Sequence, residues 1–118
     1  SYLPIPNKVG EMKTKPTQYA VRALNSYGIH PDIIIARSDR PLDQKRKDKL
    51  AFSSNVQSKH IISAPDVESI YDVPLNYEKD GLGDTLCEVL GLPKKPTDLS
   101  EWEAFVKKIK NYFTKKRF

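Results

Sequence analysis

Two lysines stand directly before a predicted helix start in the segment KTKPTQ, residues 13–18. Proline suits the first helical turn, where its missing N–H removes no intrahelical hydrogen bond. Because the first N–H groups of a helix are unpaired and partly positive, this position favours phosphate binding. The ammonium, hydroxyl and amide groups of the segment are suited to binding a triphosphate. Alternatively, the segment is a solvated basic loop without a ligand. The candidate binding residues are Lys13, Thr14, Lys15, Pro16, Thr17 and Gln18.

Two further polar segments follow apolar runs that are typical of buried parallel strands. RSDR, residues 37–40, comes directly after DIIIA, and APDV, residues 64–67, comes directly after KHIIS. Open parallel sheets bind ligands beyond the carboxyl ends of their strands. Arg37 or Arg40 could stack on a base or pair with phosphate, and the backbone of APDV could contact an adenine edge. A surface cluster of arginine and aspartate and a plain turn are the respective alternatives.

The 118-residue chain has room for one domain or a part of one. Its net charge of +5 favours anionic partners such as nucleotides, nucleic acid or an acidic protein surface. Its one cysteine, Cys87, rules out an internal disulfide, fits a reducing cytoplasm and suits a helix core better than a nucleophile. Because His30 and His60 lie at no metal-ligand spacing with that cysteine, no metal site is expected.

Several signatures are absent from the sequence. No apolar run is long enough for a membrane span, and the first residues do not form a signal-peptide pattern. Either a leader was removed or the chain begins inside a larger protein. The sequence also contains no G-x-x-x-x-G-K-[ST] phosphate loop and no nucleophile elbow.

Helical and strand-like segments alternate along the chain, which predicts an α/β fold. A helix is predicted from Pro16 to Tyr27, with Gly28 in the left-handed position that ends many helices. The other predicted elements are an extended segment at YLPI, strands at 32–36 and 59–63, and helices at 42–52, 84–90 and 100–118. Only two segments show a strong strand pattern, and so small a parallel sheet cannot easily bury both of its faces. The strands of this chain are therefore predicted to be part of a larger sheet.

Apolar spacing predicts which helix faces point inward. The first helix is predicted to bury Ala20, Ala23, Leu24 and Tyr27. The helix at 84–90 is predicted to turn Leu82, Leu86, Val89 and Leu90 inward and to end at Gly91. The last helix carries an apolar stripe of Trp102, Phe105, Val106, Ile109, Tyr112 and Phe113, follows a linker, LPKKPTDL, and begins with a capping box between Ser100 and Glu103.

The helix at 42–52 is strongly basic. Lys45, Arg46, Lys47 and Lys49 lie on it, and the pattern alone does not distinguish one lysine from another. These cations and the KKRF tail support an alternative hypothesis, a stand-alone basic module that binds nucleotides or nucleic acid without catalysis. Against it, no recognisable RNA- or DNA-binding motif is present.

The combination of KTKPTQ, RSDRP, IISAPDV, SIYDVPL and LSEWE, in this order and spacing, resembles the CTP synthase family. The resemblance covers nearly the whole chain and is to the C-terminal half of the synthetase (amidoligase) domain. LAFSSNV departs from the family's usual IALFCNV, which shifts an aromatic residue within the basic helix. The implied domains are 1–92 in the synthetase domain, a linker at 93–99 and a terminal amphipathic helix at 100–118.

The resemblance implies a P-loop α/β fold similar to dethiobiotin synthetase, with a partial parallel sheet in this chain. It also implies a cytoplasmic, homotetrameric enzyme. That enzyme uses ATP and Mg²⁺ to phosphorylate UTP, and ammonia derived from glutamine then displaces the phosphate to form CTP. The product CTP inhibits the enzyme by feedback. The partners are then UTP, CTP, ATP, the rest of the synthetase domain and a glutaminase domain, with no nucleic acid or membrane. A CTP-binding regulatory or filament element without catalysis is a further alternative, but it would need a closed sheet of its own.

Site residues follow from the resemblance position by position. Lys13–Gln18 and Lys49 match the segment and the lysine that bind the UTP and CTP triphosphate. Four residues match contacts to the adenine of ATP: Arg37, Pro65, Asp66 and Val67. The phosphate loop, catalytic lysines, magnesium-binding acids and glutaminase residues of the family have no counterpart here, so no catalytic or metal residue is expected and this chain alone should be inactive.

Overall fold

The predicted α/β architecture with a partial parallel sheet is confirmed by the computed structural model, which describes residues 1–116. Over that range the elements are α1 Lys15–Ser26, β1 Ile34–Ser38, α2 Gln44–Ser54, β2 Ile61–Pro65, α3 Val73–Lys79, α4 Leu82–Leu90 and α5 Ser100–Lys116. Short 3-10 turns at Ser58–His60 and Ile70–Asp72 precede β2 and α3. The last two residues of the predicted terminal helix and of the KKRF tail, 117 and 118, lie outside the described residues.

β1 and β2 pair in parallel, with Ile34 opposite Ile61 and Ser38 opposite Pro65. The first three residues add a short parallel segment on the other side of β1. There the Arg37 N–H donates to Ser1 O at 2.7 Å, and the Leu3 N–H donates to Arg37 O at 2.8 Å. β1 therefore lies at the centre of the sheet.

The two edges of this sheet differ. On β2, the Ile61 N–H donates to Ser58 O, the Ser63 N–H donates to an Asp80 carboxylate oxygen, and Pro65 has no N–H. Because backbone groups alternate in direction along a strand, these three positions face away from β1. The outward edge of β2 thus offers no N–H to a further strand. By the same alternation, the N–H and C=O of Tyr2 point outward on the opposite edge, where none of the described elements pairs with them.

The core lies between one face of the sheet and the helices α1 and α2. Ile34, Ala36 and Ile61 pack there against Val21 of α1 and Leu50 of α2. The other face carries Ile35, Arg37, Ile62 and Ala64 in the alternating register, and α3 covers its β2 side. The helices therefore cover one face of the sheet fully and the other only in part.

Both predicted strands are present but begin and end two residues later than the apolar runs indicated. β1 extends through Arg37 and Ser38 because Arg37 pairs with the first three residues and the Ser38 carbonyl accepts the Asp66 N–H at 2.9 Å. β2 begins at Ile61, since Lys59 and His60 form a 3-10 turn. The prediction that RSDR and APDV follow the strands is therefore corrected, because each contributes the last two strand residues.

Helix boundaries shift by one or two residues. α1 begins one residue before Pro16, and Gly28 has the expected positive φ of 78°. α2 is displaced by two residues because Asp43 caps it through the Arg46 N–H and Asn55 ends it in the left-handed conformation. α4 begins at Leu82, two residues before the predicted start, and Gly91 follows its last residue, Leu90, in the left-handed conformation as predicted. The sequence did not predict α3, whose residues VPLNYEK show no clear apolar period.

The predicted buried faces were wrong at several positions. In α1, Thr17 and Val21 are buried, whereas Ala20, Ala23 and Tyr27 are exposed and Leu24 is half-buried. In α4, Thr85 is buried, whereas Leu86 and Leu90 are exposed and Cys87 is half-buried. In α5, Val106 is buried, whereas Phe105, Tyr112 and Phe113 are exposed. The reason is common to all three: apolar spacing marks a face that can be buried, and the described residues cover each of these faces only in part.

The start of α5 also differs from its prediction. Asp98, rather than a Ser100–Glu103 box, stabilises it, because the Ser100 N–H donates to the Asp98 carboxylate at 3.0 Å. The Glu103 N–H donates to Leu99 O at 2.8 Å. Trp102 then anchors the helix by donating its indole N–H to Tyr71 O at 2.8 Å. Within residues 1–116, none of the helices is long and apolar enough to cross a membrane.

Candidate functional site

The start of α1 lies beyond the carboxyl ends of the strands. The chain leaves the sheet after Leu3, and the Lys13 N–H donates back to Pro4 O at 2.9 Å. Thr14 occupies the cap position but makes no side-chain cap hydrogen bond, and no acidic residue lies in the first turn. The positive end of this helix is therefore not neutralised by its own first turn, which suits an anionic ligand.

The six residues of the predicted triphosphate segment divide into inward and outward groups. Thr14 and Thr17 are buried, and their hydroxyls bond to Gln18 Nε2 at 3.1 Å and to the Ser1 hydroxyl at 2.8 Å. Lys15 and Pro16 are exposed. The threonines thus fix the start of the helix, while the lysines are the groups that can reach a ligand.

Arg40 and Arg46, which the sequence indicated only as possible ligand-binding cations, hold the strand-to-helix connection in place. Arg46 donates to Met12 O at 3.3 Å and pairs with Asp43 and Glu11. Arg40 donates to Gly10 O at 3.0 Å. Arginine forks that bind backbone carbonyls reduce the freedom of a loop. The two contacts to backbone carbonyls span 30 and 34 residues along the chain, so local spacing gives no signal for them.

The predicted adenine-side residues lie together on the partly covered face of the sheet. Arg37 Nη2 donates to Asp66 Oδ1 at 2.9 Å. Beside this pair, a small crevice opens between the strand ends and α3. It is lined by Arg37, Ala64, Pro65, Val73, Asn76 and Tyr77. Val67 follows the crevice in sequence and is half-buried.

Both predicted segments therefore lie at the carboxyl edge of the sheet, as expected for an open α/β fold. They lie on opposite faces, because α1 packs on the core face and Arg37 and Ala64 lie on the α3 face. The two segments therefore form two separate candidate sites.

The four cations of α2 have different environments. Lys47 is half-buried and pairs with Asp80, with its Nζ 2.9 Å from both carboxylate oxygens, and Arg46 is held by Asp43 and Glu11. Lys45 and Lys49 are exposed and form no ion pair among the described residues. Of the four cations on this helix, only Lys45 and Lys49 are thus free to bind the phosphates of a nucleic acid. This disfavours the alternative basic module.

No group of three or more histidine, cysteine or acidic side chains that could hold a metal ion occurs in the part of the chain that the structure describes. His60 Nδ1 lies 3.0 Å from Asp32 O, on the side of the sheet where β2 begins.

Comparison with known proteins gives a family. A family model described as CTP synthase N-terminus matches residues 1–92. CTP synthase of Chloroflexus aurantiacus is 52% identical over 101 residues, which cover 86% of this chain and 18% of that protein. CTP synthase of Methanocaldococcus jannaschii is 46% identical over 111 residues, which cover 94% of this chain and 21% of that protein.

CTP synthase of Pyrococcus abyssi is similar over a comparable range, with 48% identity over 110 residues that cover 93% of this chain and 20% of that protein. The chain thus spans about a fifth of the length of the curated relatives it matches.

Proposed function

The chain belongs to the CTP synthase family, and from this premise we propose that it is a nucleotide-binding part of a longer enzyme that aminates UTP to CTP. The full reaction would use ATP to activate the uracil oxygen and ammonia derived from glutamine to displace the phosphate. The start of α1 carries this proposal: the exposed Lys15 and the half-buried Lys13 lie at an uncapped, positive helix end at the carboxyl edge of a parallel sheet.

The matched family model describes the N-terminus of CTP synthase, so the chain lies in that region and not in a C-terminal half of the enzyme. The finer placement, in the later half of the synthetase domain, is part of this proposal. Its support is the sheet, which is closed at β2 and open at Tyr2, where strands from the rest of the domain would add. Exposed apolar side chains such as Tyr27 and Phe52, at 82% and 92% exposure, are further surfaces for that remainder.

UTP and the feedback inhibitor CTP would share the α1 start. Lys13 and Lys15 would bind the triphosphate with their ammonium groups, and Lys49, one of two exposed lysines of α2, is assigned to the same ligand. Thr14, Pro16, Thr17 and Gln18 would set the direction of the helix N–H groups rather than all contact the phosphates, since both threonines are buried.

ATP would bind on the opposite face through its adenine. The Arg37 guanidinium lies where it could stack on the ring once it leaves Asp66. The backbone of Pro65, Asp66 and Val67 would read the ring edge. Because the two ligands lie on opposite faces, each can be weakened without the other.

The remaining parts of the reaction belong to the rest of the protein. Magnesium ligands, catalytic lysines and the glutaminase domain would come from outside this chain, in a cytoplasmic homotetramer. Within the chain we propose a synthetase portion at 1–92, a linker at 93–99 and a terminal helix at 100–118. Residues 93–99 contain no helix or strand, and the family match ends at residue 92.

The test is an assay of the full-length protein that contains this chain. CTP formation is measured with UTP, ATP, Mg²⁺ and glutamine, and then with each component omitted in turn. Product that requires all of them supports the proposal. Absence of CTP, together with salt-sensitive binding of nucleic acid, would instead favour the basic module.

A further inference from the structure

Glu11 lies beside the proposed triphosphate segment, and two cations share its carboxylate. Its Oε2 lies 3.2 Å from Lys13 Nζ, and its Oε1 lies 3.6 Å from Arg46 Nη2. Lys13 is therefore already paired with an internal anion. In contrast, Lys15 forms no ion pair within residues 1–116.

The two cations that pair with Glu11 differ in how many other contacts hold them in place. The Arg46 side chain is only 20% exposed, and it also bonds to Asp43 and to the Met12 carbonyl. The Lys13 side chain is 42% exposed and forms its ion pair with Glu11 alone among the described residues. Since lysine carries its charge on a flexible stem, Lys13 can leave while Arg46 keeps Glu11 neutralised.

We propose that Glu11 is an internal counter-ion that competes with the nucleotide phosphates for Lys13 and so weakens the affinity of the site. The inference rests on the proposed function, since it presumes that Lys13 contacts phosphate. An arriving triphosphate takes the ammonium group, and Glu11 remains bound to Arg46. The carboxylate is thus not left without a partner, which keeps the exchange easy to reverse.

The charge state of Glu11 fits this role. The hydrogen bond from Lys13, the charge of Lys13 and the charge of Arg46 lower the pKa of Glu11 below its ordinary value of 4.5. The carboxylate is therefore ionised at neutral pH, where the competition takes place.

The experiment measures the affinity of UTP for the full-length protein in four forms: wild type, Glu11→Gln, Lys13→Ala and the double variant. Because exposed ion pairs are weak, Glu11→Gln should tighten UTP binding by about 1.4- to fivefold. In the Lys13→Ala background the same change should have no effect, because the competition is gone. The affinity for uridine, which carries no phosphate, should not change.

A matched control is Glu88→Gln. Glu88 pairs with Lys59 at 2.6 Å, next to the turn that precedes β2 and thus at the opposite end of the strands. This variant also removes one carboxylate from an exposed lysine–glutamate pair, and it should leave UTP affinity unchanged.

The possible results separate the inference from the proposed function. If Lys13→Ala weakens UTP binding but Glu11→Gln does not tighten it, the inference is wrong and the triphosphate site stands. An equal gain from Glu11→Gln with and without Lys13 would mean general repulsion and would also refute the competition. If Lys13→Ala has no effect on UTP binding, both the triphosphate assignment and the inference fail.

Discussion

The carboxylate of Asp80 accepts the backbone N–H of Ser63 at 2.6 Å, on the outward edge of β2. A side chain from the end of α3 thus occupies the position that a neighbouring strand would take. Lys47 of α2 neutralises the same carboxylate. The contact closes the sheet on one side and directs any further strands to the side of Tyr2.

Replacing Asp80 with alanine should loosen this edge of the sheet. The change leaves the Ser63 N–H and the half-buried Lys47 ammonium without their acceptor, which costs about 1–3 kcal/mol. Hydrogen exchange at residues 61–64 in the full-length protein should accelerate by about tenfold or more. Asp84→Ala on exposed α4 is the control, and equal exchange rates in the two variants would contradict the edge-closing role.

Lys13→Ala and Lys15→Ala should weaken UTP and CTP together. A charge-assisted hydrogen bond contributes about 1.5–3 kcal/mol, so each change should raise the dissociation constants by about tenfold to a hundredfold. Titration of the full-length protein with each nucleotide measures this. Unchanged affinity for both nucleotides would remove the triphosphate assignment, and a change in ATP affinity alone would reassign the lysines.

Arg37→Ala should raise the KM for ATP by about three- to thirtyfold, the range expected from losing a cation–π contact. The KM for UTP should stay within twofold, because the two sites lie on opposite faces of the sheet. Steady-state kinetics with each substrate varied in turn distinguish the effects. Asp66→Asn is a companion variant, since it removes the charge that holds Arg37. If Arg37→Ala raised the KM values for ATP and UTP in parallel, the two sites would not be separate.

Lys49→Ala should weaken UTP binding, whereas Lys47→Ala should mainly destabilise the protein. Lys47 is committed to Asp80, while Lys49 is exposed and has no ionic partner among residues 1–116. Affinity and thermal melting of the two variants, with Lys45→Ala as a second exposed lysine on the same helix, form the comparison. If Lys45→Ala weakens UTP as strongly as Lys49→Ala, the assignment to Lys49 is wrong.

The cap of α5 should be lost in acid. Hydrogen bonds from Ser100, from its hydroxyl first and then its backbone N–H, lower the pKa of Asp98 below its ordinary value of 3.8. Because the pKa of Asp98 is lower in the folded state than in the unfolded state, the cap stabilises the protein fully at pH values above the unfolded-state pKa. This stabilisation disappears as the pH falls through the folded-state pKa. Protection factors for residues 100–106, corrected for the intrinsic exchange rate, should fall over this window in wild type and change little in Asp98→Asn.

Element types could be predicted from the sequence because local signals are strong. The isoleucine runs of β1 and β2, Pro16 at the start of α1 and Gly91 after α4 each act over a few residues. Strand limits could not be predicted in this way, since β1 continues to Ser38 only because Leu3 and Asp66 offer backbone partners from distant parts of the chain.

The site residues stay a prediction; the sequence indicated where they lie in the fold but not their supporting contacts. Types and order of residues located Lys13–Gln18 and Arg37, and the fold brings both to one edge of the sheet. The inward turn of Thr17 was not predictable, because its hydroxyl is satisfied by Ser1, sixteen residues away. Arg46 and Glu11 were missed for the same physical reason: long-range ion pairs leave no periodic trace in a sequence.

The bond between the hydroxyls of Ser1 and Thr17 has a practical consequence for protein engineering. The hexapeptide KTKPTQ carries the lysines, but the direction of its helix depends on this bond to a strand residue and on the arginine that holds Met12. Grafted onto the helix of another scaffold, the six residues would bring the charges without the alignment. A transplantable module would have to include the first three residues and the start of α2 as well.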